Sequence, residues 1–151
     1  MRSLRTSLRG LVVVLLVVIA VPCSASAAAR QDRAEMAILK AMNTARAQHG
    51  LPALRVNRAL ARAADAHSAA MLRSGAFTHG SVNARLRRYT RARSVGETLA
   101  WLTRCDSRKV VAMWLQSAAH RKIMLAPRFH AVGVGRKASP SRCMVTADFA
   151  G

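Results

Sequence analysis

The sequence predicts an α+β domain. Three stretches carry apolar residues at helical spacing (residues 32–48, 57–74 and 107–125), and two short β-prone runs follow Pro127. An even pair of cysteines, Cys105 and Cys143, flanks the third of these helices. A chain of 151 residues holds one such domain and no second.

The first 29 residues stand apart. Arg2, Arg5 and Arg9 precede an apolar run over residues 11–21, and Ala27 or Ala29 ends an Ala-x-Ala site. These are the marks of a secretory signal peptide, and the run is too short to span a bilayer. Pro22 stands where a lipoprotein box needs a small residue before Cys23, so soluble release is expected. The domain then occupies residues 30–151 and is expected to be extracellular, with no transmembrane segment. Cys105 and Cys143 alone remain in an oxidising compartment, so a disulfide is expected between them.

Charge narrows the partners. The whole chain carries +19; beyond residue 29, 22 bases face six acids, a net +16. Such an excess favours anionic surfaces, whether lipid or a cell-envelope polyanion. Nucleic acid is not expected, because no basic helix is interleaved with stacking aromatics.

The first helix is expected over residues 32–48, with Met36, Leu39, Met42 or Asn43, and Arg46 three or four apart and Gly50 and Pro52 as its end. Asn57 is a good N-cap for a second helix that Gly75 stops. Its inward face is Leu60, Ala64, His67 or Ser68, and Met71, which reads His67 as a core histidine, with a place behind a site as the alternative. His79 follows in a loop among Gly75, Thr78, Gly80 and Ser81, where packing gives no reason for an imidazole. Ser81 is expected to cap a short helix reaching Tyr89. Arg85, Arg87, Arg88, Arg91 and Arg93 lie in the densest basic run, with little apolar periodicity, so all five are expected to be exposed.

Glu97 is one of two glutamates in the chain and opens an apolar run ending at Trp101. A carboxylate there must be paired or hydrogen-bonded. The third helix starts at Asp106 or Ser107 and buries Val110, Val111 and Trp114. If it continues, Ser117 and His120 share one edge. Pro127 and Gly133-Val-Gly135 turn the chain into strands over residues 131–136 and 143–149, joined at Ser139-Pro140; the register of the last is left open.

Four pieces stand in order: Phe77-x-His79, Gly96-Glu97-x-Leu99, Trp114-x-x-Ser117-x-x-His120-Arg121 and Gly133-Val-Gly135. Together they resemble the CAP superfamily of cysteine-rich secretory proteins, antigen 5 and pathogenesis-related proteins, and its bacterial secreted branch most closely. The resemblance covers nearly all of residues 32–149. It implies an α–β–α sandwich, a small antiparallel sheet between helical layers, with a cleft lined by His79, Glu97, Ser117 and His120. Ser117 stands where many eukaryotic members carry Glu, and Thr98 where Asn is usual.

Two imidazoles and a carboxylate are also the donor set of an open zinc site, so His79, Glu97 and His120 are the candidate ligands for zinc or another divalent cation. No Ser-His-Asp or Cys-His set is present, and no catalytic residue is assigned. The expected function is a non-catalytic extracellular binding module for a lipid, another apolar ligand or an anionic envelope component. The alternative is a metal-assisted hydrolase using His79, Glu97 and His120.

Overall fold

A computed structural model describes residues 25–151. Most of the predicted leader lies outside them; residues 25–29 begin the first helix, α1 (Ala25–Gln48). There follow β1 (Arg55–Val56), α2 (Arg58–Ser74), α3 (Val82–Leu86), β2 (Val95–Leu102), α4 (Ser107–Gln116), α5 (Ala118–Met124), β3 (Ala131–Ala138) and β4 (Cys143–Ala150). The sheet runs β1-β3-β4-β2, with β1 parallel to β3 and the other pairs antiparallel.

Strand alternation sorts the sheet into two packed faces. Ala100, Val132, Val134, Val145, Ala147 and Phe149 meet Ile38 and Met42 of α1 and Val110 and Trp114 of α4. On the other side Leu99 and Met144 pack on Met71 of α2, and Ala150 on Leu60 and Ala63. The fold is thus an α–β–α sandwich, as expected, and the register left open by the sequence is settled: Met144, Thr146 and Asp148 face α2.

On that face Gly133 and Gly135 let α2 lie directly on β3. A Cβ at either would overlap the backbone of Ala61 or of Asp65. The glycines therefore serve close approach and not only a turn.

The termini of α2 form as the sequence predicts. Asn57 accepts from the amides of Ala59 and Leu60, and Gly75 closes the helix at φ 74°. Asp106 caps α4 through the amides of Arg108 and Lys109. Cys105 and Cys143 form the expected disulfide, with Cα atoms 5.4 Å apart. It ties the start of α4 to the start of β4. In the chain-entropy picture a loop of this length stabilises the fold by roughly 4 kcal/mol.

Four expectations need correction. The third helix does not continue: Ser117 adopts an extended conformation (φ −81°, ψ 119°), ending α4 and beginning α5, and its hydroxyl accepts from the His120 amide. Ser81 makes no side-chain cap, and α3 ends at Leu86, short of Tyr89. The run carrying Glu97 is a full strand, β2, and β1 was not foreseen. Arg85 is not exposed with its neighbours; only 19% of its side chain meets solvent. Arg87, Arg88, Arg91 and Arg93 are exposed.

Candidate functional site

The site grows from the pairing of β2 with β4. Their register sets Glu97 opposite Asp148, both facing α2, and their side chains are 1% and 0% exposed. Two buried carboxylates side by side require a cation or a proton.

Arg85 supplies the cation. The next residue, Leu86, is fully buried against Leu60, Ala63 and Ala150, which fixes α3 over this end of the sheet. From there the guanidinium forks onto Asp148, with Nη1 2.7 Å from Oδ2 and Nη2 2.9 Å from Oδ1. Nη2 also donates to Glu97 Oε2. Bidentate geometry of this kind is what arginine provides and lysine cannot. Burial pulls the guanidinium's pKa down, but the hydrogen bond and charge of Asp148, with Glu97 behind them, outweigh it and hold it above its usual value.

Three histidines surround this core. His79 Nδ1 lies 2.7 Å from Glu97 Oε1, with about half of its side chain exposed at the mouth. His67, from α2, donates through Nε2 to the Thr78 carbonyl at 3.0 Å and sits 3.6 Å from Glu97 Oε2. It thereby holds the loop that carries His79. His120, from α5, brings its ring to 6.0 Å from that of His79, tilted by 51°. Ser117 stands at the α4–α5 break, where its hydroxyl aligns the turn carrying His120. The structure thus brings His79, Glu97 and His120 together. It adds Arg85 and Asp148, which sequence reasoning had not placed in the site, and it sets His67 behind the cleft, the alternative to a purely core histidine. For Asp148 the available signal was a lone acid in a buried strand; for Arg85, a position next to Leu86.

Protonation follows from burial. Glu97 is pushed up to about 8, first by burial and then by the neighbouring Asp148 charge. Asp148 is raised by burial as well, against the pull of Arg85. The acid pair therefore retains a proton at neutral pH, which leaves pair and guanidinium together uncharged. His67 is lowered by burial and by the Arg85 charge, and His120 by burial and then by His79.

Glu97 holds its proton more tightly folded than unfolded, so its contribution is present below about 4.5 and is lost as pH rises to about 8. His67 and His120 act oppositely, losing stability as pH falls below 6.5. Between 6.5 and 8 these two histidines no longer oppose the Glu97 effect, and whatever Asp148, also raised, contributes has the same sign. The melting temperature of the parent is expected to fall across that window, and Glu97→Gln, an isostere of the protonated acid, to flatten the fall. A parent profile already flat from pH 6.5 to 8 contradicts this assignment.

A three-ligand metal site does not fit. Among the described residues no three His, Cys, Asp or Glu side chains are arranged to hold one ion. Both Glu97 oxygens are engaged, by His79 and by Arg85. What remains for an ion is the imidazole pair, with Glu97 orienting His79 from behind in the manner of a supporting carboxylate.

A small sheet between helical layers, antiparallel but for its β1 edge, with a histidine–acid cleft at one end, defines the class of SCP-type domains. The cysteine-rich secretory protein family, CAP, matches residues 39–149. The chain belongs to that family. An extracellular protein of Bacillus anthracis containing an SCP domain is 27% identical with a TM-score of 0.70; the match covers 80% of this chain and 41% of that one. The chain thus spans less than half the length of the Bacillus protein. An outer surface protein of Borrelia burgdorferi has a TM-score of 0.70 at 18% identity, over 78% of this chain and 92% of its own. NaASP2, solved with Zn2+, has a TM-score of 0.60 at 12% identity, over 77% and 78%. No curated protein matches the chain by sequence. No helix among the described residues is long and apolar enough to cross a membrane.

Proposed function

We propose that the protein is a secreted, non-catalytic binding module, released after a leader of residues 1–29, whose ligand is an anionic amphiphile. The observation that carries this reading is a groove of about 460 Å³ between α1, α2 and the β1–β3 edge. Met36, Leu39, Val56, Ala61, Val132 and Val134 line it, and Met36 and Val56 are each 52% exposed. Glu35 also lines it, with its carboxylate accepting from the Arg136 amide, and the size and otherwise apolar lining suit one acyl chain. Arg58 stands at the rim, and the groove runs over Met36 and Leu39 into a second hollow bordered by Arg33 and Lys40. An acidic headgroup finds its countercharges there. Arg87, Arg88, Arg91 and Arg93 add a longer-range attraction to anionic envelopes, falling off within about 8 Å at physiological salt.

The hydrolase alternative needs Glu97 free as ligand or base. Its engagement by His79 and Arg85 favours the non-catalytic reading.

Native mass spectrometry of the protein purified from its own secretion medium is expected to show a retained amphiphile. In titrations with the fluorescent fatty acid cis-parinaric acid, Val56→Asp is expected to weaken binding by about tenfold, the equivalent of one apolar contact replaced by a like charge. His79→Ala is expected to leave binding unchanged. Equal affinity in Val56→Asp and parent overturns the groove as the site.

A further inference from the structure

We propose that Arg85 is itself the cation of the cleft, a tethered guanidinium that closes both buried carboxylates to divalent metal ions. All four carboxylate oxygens are already engaged: Asp148 Oδ1 and Oδ2 and Glu97 Oε2 accept from Arg85, and Glu97 Oε1 shares a hydrogen bond with His79 Nδ1. A metal reaching Glu97 or Asp148 would have to expel the guanidinium. Leu86, locked into the core beside it, keeps α3 and therefore Arg85 in place. Expulsion would leave a stranded cation beside an incoming one, in a pocket where each carboxylate side chain is almost wholly buried.

Charge balance points the same way. One guanidinium and an acid pair sharing one proton are neutral together, so the buried core has no negative charge left for an ion to neutralise. Ions that require oxygen ligands, such as calcium and magnesium, are thereby excluded. An ion that accepts nitrogen can use only the His79–His120 pair at the mouth, with solvent completing its shell. The cleft discriminates among cations through a residue of its own chain.

Two measurements test this. In nitrogen-edited NMR of the parent protein, the Arg85 guanidinium protons are expected to be protected from solvent exchange and to stay so in a tenfold excess of zinc or calcium. Their release by either ion overturns the proposal. In calorimetric titrations Arg85→Ser is expected to gain at least tenfold in calcium affinity over the parent, and Asp148→Asn added to it is expected to remove the gain. A folded Arg85→Ser that binds calcium no better than the parent also overturns it. If that variant does not fold, the spectrum of the parent decides alone.

Discussion

Gly133→Ala and Gly135→Ala are each expected to destabilise the protein by about 3 kcal/mol or more, at the upper end of what overpacking costs. Total stabilities of domains this size lie at about 5–15 kcal/mol, so either change approaches unfolding. The reason is geometric. The methyl group would meet the backbone of Ala61 or Asp65, and backbone cannot swing away as a side chain can. Relief requires α2 to lift from β3, which opens the packing of Leu60, Ala63 and Met71 against the sheet. Gly50→Ala is the control. Its φ of 68° carries strain, but nothing lies within 4 Å of the added carbon, so it is expected to cost only about 1–2 kcal/mol. Urea denaturation midpoints measure all three, and a loss below 1 kcal/mol at both sheet glycines contradicts the close-approach account.

Arg46→Met is expected to cost about 3–5 kcal/mol, as when a buried charge network loses its central partner. Arg46 is fully buried and donates to four carbonyls. These are Pro52 at 3.0 Å, Met124 at 2.8 Å, Ala126 at 3.2 Å and Phe129 at 3.1 Å. Burial lowers its pKa, and carbonyl dipoles, including the end of α5 at Met124, take the place of a carboxylate. Methionine matches the stem but takes a donor from all four carbonyls, of which Ala126 keeps the Phe129 amide. Arg46→Lys is expected to recover little, because one ammonium cannot reach all four directions. Thermal unfolding of the three proteins decides, and a methionine variant within 1 kcal/mol of the parent refutes the role.

The reach of sequence reasoning tracks the range of the interactions involved. Asn57 and Gly75 announce α2 because caps are local, and the helical spacing of Leu60, Ala64 and Met71 follows from one surface. Arg46 fell on the apolar stripe of α1, yet a periodicity cannot reveal that carbonyls 78 to 83 residues away will receive it. Asp148 entered the site only through strand register, a long-range property, and Arg85 was hidden by the arginines around it. The break at Ser117 left little trace either, because no Gly or Pro marks it and serine serves helices inside and at their ends. His79 and Glu97 were legible because packing alone gives neither a use, and His120 because it stands in the ordered motifs that resemble the CAP superfamily.

The indole of Trp114 does more than fill the core. In the sheet order β2 is the outermost strand, eight residues long. Ser94 and Gly151 exchange both of their hydrogen bonds, so by alternation the outward-pointing groups belong to Val95, Glu97, Leu99 and Trp101. A straight row of such groups is a template on which a strand from another molecule can add. The middle carbonyl of that row, at Leu99, is already taken by the Trp114 N–H at 2.8 Å. A second chain could not zip along the edge without first drawing a fully buried tryptophan out of the core. Copies crowded onto one surface therefore meet with that edge stoppered by the same side chain that anchors α4.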